Sequence, residues 1–112
     1  SLARVEMHAH IAPTGHIDVN EVLSEVVESL EPIAAAVETT IQVDAPGDPC
    51  IVRGDRDEIV QVLVNILQNA IKYGRQGGAV TVQVSFADSH RRRLRIAITD
   101  DGPGIAEEHL PR

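Results

Sequence analysis

Tryptophan is absent from this 112-residue chain, and phenylalanine and tyrosine occur once each. The core therefore cannot rest on aromatic rings, and the 43% apolar share must be met by aliphatic side chains. A single cysteine, Cys50, excludes an intrachain disulfide and suits a reducing compartment. Its neighbours Ile51 and Val52 point to a buried thiol rather than a nucleophile. No apolar run reaches the length of a membrane span, and no secretory leader opens the chain. Positive charge is scarce: 10 Lys and Arg stand against 17 Asp and Glu, a net charge of −7. That balance argues against nucleic acid as a partner but not against a nucleotide, for which a local positive site is enough. Internal repeats and low-complexity tracts are also missing, so length and composition describe one small domain with one core. The abrupt beginning and end suggest a piece excised from something longer.

What is present is organised around the stretch GDRDEIVQVLVNILQNAIKYG, Gly54 to Gly74. Asp55 with Glu58 three places on is a capping-box pattern at a helix start. Gly74 stands where helices commonly stop. Ile59, Val62, Leu63, Ile66 and Ala70 recur at helical spacing and make one apolar face. Asn65, Asn69, Lys72 and Tyr73 fall on another stripe, at spacings that let them converge on one ligand. Two amides, an ammonium and a phenol suit a metal, a phosphate and a flat ring. Taken alone, the same stripe reads slightly better as a solvated face with a lysine favoured by the helix dipole.

The flanking chain reads as follows. Ser1 to Gly15 is the tail of a helix and a linker broken at Pro13 and Gly15. His8 and His10 point apart on a helix and could share a metal on a strand, but with no Cys or carboxylate cluster beside them solvent or partner contact outweighs metal. His16, His90 and His109 are isolated and read the same way. His16 to Val19 forms a short edge strand. Asp18 and Glu21 then cap a helix running to about Glu38 on Val22, Leu23, Val26, Val27, Leu30, Ile33, Ala34 and Val37. Pro32 lies inside it and should kink it or begin a second segment. Strands follow at 40–43 and 50–53, separated by a turn at 45–49. Beyond the central helix, Val80, Val82, Val84 and Phe86 alternate with Thr81, Gln83 and Ser85. Leu94, Ile96 and Ile98 return antiparallel after a polar hairpin at 88–92. The arginines at 91–95 read as a solvated rim that discourages edge pairing. The last strand runs into Asp100, Asp101, Gly102, Pro103, Gly104 and Ile105. A carboxylate at a strand end can accept from an exocyclic amine, and glycines let backbone approach a ligand. That pattern alone is also a plain turn.

Together, NILQNAIKYG and TDDGPGI resemble the N box and G1 box of the ATP-binding domain of sensor histidine kinases. These belong to the superfamily of gyrase, Hsp90-type chaperones, histidine kinases and mismatch-repair ATPases. The resemblance covers about residues 17 to 105, including LEPIAAA in the first helix. The leader is also similar to the link before the ATP-binding domain in phosphate-regulon-type sensor kinases. Residues 1–16 would then be a remnant of a dimerisation helix and linker, and 17–112 a partial ATP-binding domain.

The resemblance implies a two-layer α/β sandwich of the Bergerat type: a mixed, mostly antiparallel sheet of the strands at 40–43, 50–53, 80–86 and 93–99, with both helices on one face. It implies ATP and Mg²⁺ as cofactors. Asn69 would bind the metal, Asn65 would line the phosphate side, and Lys72 would reach a phosphate. Tyr73 would pack near ribose or adenine. Asp100 would accept from the adenine amino group, and Gly102 and Gly104 would shape the loop beneath the base. Asn65 stands where water-activating relatives carry a glutamate, and a neutral amide cannot take a proton from water. That fits transfer of the γ-phosphoryl group to a histidine on a separate dimerisation domain, and thence to a response regulator. The whole protein is expected at the inner membrane, anchored through an absent sensor region, with this domain in the cytoplasm.

No His-Glu-x-x-x-Pro phosphoacceptor segment occurs, and the later lid motifs are missing. The piece is therefore expected not to autophosphorylate and to bind nucleotide weakly or not at all, and its missing edge invites a homodimer. Two other readings share the motifs: an anti-sigma or switch serine kinase of the same superfamily, and a nucleotide-sensing module that transfers nothing.

Overall fold

Two helices form where the sequence places its two capped apolar stripes. The computed structural model describes residues 2–8, 16–47, 49–88 and 93–101, with only the backbone of His8. Helix α1 spans Val19–Ala36 and helix α2 spans Arg56–Tyr73. Asp18 caps the first, its Oδ1 accepting from the backbone N–H of Asn20 at 3.0 Å. Asp55 caps the second, its Oδ1 accepting from Asp57 at 2.8 Å and Glu58 at 3.4 Å. Replacing Asp55 with alanine leaves those donors to water and is expected to lower stability by about 1 kcal/mol, measured as a shifted urea midpoint with unchanged slope.

The six strands are β1 (Leu2–His8), β2 (His16–Asp18), β3 (Thr40–Asp44), β4 (Ile51–Arg53), β5 (Ala79–Phe86) and β6 (Arg93–Asp100). Four of them make the main sheet in the order β1-β6-β5-β3. β1 and β5 both run antiparallel to β6, and β3 runs parallel to β5. The sheet is thus mixed and mostly antiparallel, as expected. Val82, Val84, Leu94, Ile96 and Ile98 point inward and are buried. They pack with Leu23, Val26, Leu30, Leu63, Ile66 and Leu67 from the helices into one aliphatic core. The opposite sheet face is polar: Arg95 donates to Glu6 Oε1 from Nε at 3.0 Å and Nη2 at 2.8 Å, across the β1–β6 pair.

The structure departs from expectation in four places. Residues read as a helix tail are strand β1, because Ala3, Val5 and Met7 pack on the core while Leu2, Arg4 and Glu6 are exposed. With β1 in place, β6 is an interior strand, so the arginines near its start do not guard an edge. Instead, Arg95 is held by Glu6. Strand β4 is not in the main sheet. It pairs with β2 in a separate two-stranded ladder, tied to α1 where Val19 N–H donates to Cys50 O at 2.8 Å. Finally, of the two outcomes expected at Pro32, a second segment does not begin: α1 continues as one helix to Ala36. Pro32 is exposed, so water can satisfy the carbonyl that loses its partner. Cys50 is fully buried, as read from its neighbours. Among the described residues no helix is long and apolar enough to cross a membrane.

Candidate functional site

The end of α2 meets the end of β6 where Gly74 lies against Asp100. Its N–H closes the helix on Ala70 O at 2.9 Å. A Cβ placed on Gly74 would stand 3.5 Å from the Cβ of Asp100 and 2.6 Å from Ala70 O. Asp100 is buried at 7% exposure, in register with Val80 of β5. A carboxylate in that position lies under the last turn of the helix rather than in open solvent.

The stripe carried by α2 leads towards this point. Asn65 is exposed, Asn69 half-buried, and Lys72 and Tyr73 exposed at the helix end. Lys72 Nζ lies 5.2 Å from the centre of the Tyr73 ring, a cation–π distance. The residues singled out from sequence therefore fall on one helix, running down to the strand end that carries Asp100. Gly102 and Gly104 lie outside the described residues. Among the described residues there is no cluster of three or more His, Cys, Asp or Glu able to hold a metal. A depression of about 190 Å³ lined by His16, Asp18, Glu21 and Arg56 belongs to the opposite end of α2, where Arg56 pairs with Glu25 of α1.

Two residues that sequence reasoning passed over hold the strand end. Asp101 Oδ2 accepts from the N–H of Ala79 at 3.1 Å, bridging from the end of β6 to the start of β5. Gly78 lies directly beneath that carboxylate, where an added Cβ would be 2.2 Å from Oδ1. The signals in the sequence are the Gly77-Gly78 doublet and the second carboxylate directly after Asp100, neither of which names its partner.

Residues 54–112 match the family model described as histidine kinase-, DNA gyrase B- and HSP90-like ATPase. The chain belongs to that ATPase family. The matched segment begins just ahead of α2 and takes in β5, β6 and Asp100, and the family is one of ATP-binding domains. The adaptive-response sensory kinase SasA of Synechococcus sp. strain CC9311 is 34% identical over 96 residues, 86% of this chain and 24% of that protein. The chain thus spans about a quarter of such a relative's length. The catalytic domain of histidine kinase ThkA superposes with a TM-score of 0.73 at 26% identity, over 83% of this chain and 59% of that one. ThkA has also been solved in complex with the response regulator TrrA, at a TM-score of 0.70 and 25% identity over 84% of this chain and 27% of that one. Full-length ShkA in complex with AMPPNP superposes with a TM-score of 0.71 at 28% identity, over 89% of this chain and 21% of that one. The fold of this ATPase-family member is that of histidine-kinase catalytic domains.

Proposed function

We propose that this domain holds Mg·ATP between α2 and the end of β6 and supplies its γ-phosphoryl group to a histidine on a dimerisation domain outside these residues. A response regulator would then take the group from that histidine. The observation that carries the reading is the buried Asp100 carboxylate beneath the end of the helix that bears Asn65, Asn69, Lys72 and Tyr73.

On this reading the residues divide the ligand among them. Asp100 accepts from the adenine amine, which a guanine cannot offer at that position. Tyr73 packs near the ribose or base, and Lys72 reaches a phosphate as a point charge. Asn65 lines the phosphate side, and Gly102 and Gly104 shape the loop under the base. Asn69 offers one neutral oxygen, a hard donor that suits Mg²⁺, an ion that keeps phosphate and water oxygens in most of its positions. The lack of a carboxylate or imidazole cluster among the described residues suits an ion that arrives with the phosphates. When bound, it would neutralise charge on the phosphate oxygens. Asn65 cannot act as a general base, so water is not activated and the γ-phosphoryl group is preserved for the acceptor.

The response regulator and the nucleotide come to this chain by analogy with the ThkA–TrrA and ShkA–AMPPNP complexes. We place the domain in the cytoplasm, where both are found, and assign sensing, dimerisation and any membrane attachment to sequence beyond these residues. The test is incubation of the full-length protein with γ-labelled ATP, then with a response regulator. Label should appear in an alkali-stable, acid-labile linkage and then move to the regulator. Acid-stable label would instead show a serine kinase, and a protein that binds ATP without taking up label would be a sensing module.

A further inference from the structure

The backbone ladder between β5 and β6 ends at the pair Val80 and Asp100. The next residue of β5's side, Ala79, still has its N–H satisfied, but by a side chain: Asp101 Oδ2 at 3.1 Å. The carboxylate thus stands in for the next rung, at the place where the chain leaves the sheet for its glycine-rich stretch. Its anchor is itself fixed. Gly78 O accepts from Thr40 N–H at 3.0 Å, Gly78 N–H donates to Arg75 O at 2.9 Å, and Gly77 N–H donates to Val37 O at 3.0 Å. The seat is also cut to size, since a Cβ on Gly78 would fall 2.2 and 2.6 Å from the two carboxylate oxygens.

We propose that Asp101 is a positioning residue for nucleotide recognition, clamping the end of β6 onto Gly78–Ala79 so that Asp100 keeps its place beneath α2. The inference rests on the reading of Asp100 as the adenine acceptor. Terminal rungs of a ladder open most readily, and Asp100 is in the terminal rung. Without the clamp, the carboxylate that chooses the base samples positions from which it cannot accept the adenine amine. The chemistry at the phosphates, carried by α2, is untouched.

The test uses the full-length protein with Asp101→Ala, Asp101→Asn, Gly78→Ala and the Gly78→Ala/Asp101→Ala pair. It measures Mg·ATP and Mg·GTP affinity and amide hydrogen exchange at Ala79 without nucleotide. Asp101→Ala should speed exchange at Ala79, weaken ATP about five- to tenfold and narrow the ATP-to-GTP ratio, with kcat at saturating ATP unchanged. Asp101→Asn keeps an acceptor oxygen and should restore most of the affinity. Gly78→Ala should mimic Asp101→Ala by displacing the carboxylate, and adding it to Asp101→Ala should do little more. Faster exchange at Ala79 with ATP affinity and base preference unmoved would overturn the proposal, leaving a clamp that matters only to the fold. A wild-type protein with no preference for ATP over GTP would instead remove the reading of Asp100 and the inference with it, whatever the exchange data show.

Discussion

Exchanging Asp100 for asparagine is expected to weaken Mg·ATP binding about a hundredfold while the fold persists. The carboxylate is buried at 7% exposure, so its partner in the bound state cannot be replaced cheaply by water. An aspartate presents acceptors only, whereas asparagine also carries an NH₂ that meets the adenine amine donor to donor. The charge assistance is lost as well. The fold is expected to tolerate the exchange. Asparagine has the same shape and keeps one acceptor oxygen, and the β5–β6 ladder at this position is made of backbone. Calorimetric titration of the full-length protein with Mg·ATP beside a thermal melt checks both halves. Unchanged affinity in a folded variant would remove Asp100 from the nucleotide site, and with it the geometric basis of the kinase reading.

Local rules make the elements that carry the candidate site legible in the sequence. Capping at Asp18 and Asp55 and the 3.6-residue apolar rhythm placed both helices to within two residues at each end. Alternation did the same for β5 and β6. The stripe from Asn65 to Tyr73 follows from helix geometry alone. Non-local pairing was harder to see. Ala3, Val5 and Met7 alternate with Leu2, Arg4 and Glu6, yet the strand they form needs a partner some ninety residues away, with Leu2 opposite Thr99 and His8 opposite Arg93. A seven-residue pattern with no local turn to pair it carries no signal of that kind. The same limit explains β4: three residues, Ile51 to Arg53, cannot announce whether they join a four-stranded sheet or pair with His16 to Asp18. Asp101 and Gly78 were missed for a related reason, since a carboxylate seated on a glycine twenty-three positions away in sequence is a contact of the folded state only.

Gly74 ends the central helix, as its place after the apolar stripe predicts, but for a different physical reason. A glycine after a helix is usually there to adopt positive φ. Here its φ is −75° and ψ 175°, an extended conformation open to any residue. What excludes a side chain is space: a Cβ would be 2.6 Å from the carbonyl oxygen of Ala70. That oxygen is backbone, and it already accepts the N–H of Gly74 at 2.9 Å, so relief requires the last turn of α2 to shift or that hydrogen bond to break. Gly74→Ala is therefore expected to lower stability by about 2–3 kcal/mol, roughly a 10 °C fall in melting temperature. Because Lys72 and Tyr73 ride on that turn and Asp100 lies against it, ATP affinity should fall in the same variant, in contrast to Asp100→Asn, where affinity and stability separate. Gly77 provides the control. It does adopt positive φ, at 76°, with nothing within 4 Å of where a Cβ would stand, so Gly77→Ala should cost only backbone strain of about 1 kcal/mol, less than Gly74→Ala. A Gly74→Ala protein that melts with the wild type would show that the helix end yields freely, and the close packing of α2 on Asp100 would then not be what holds the site together.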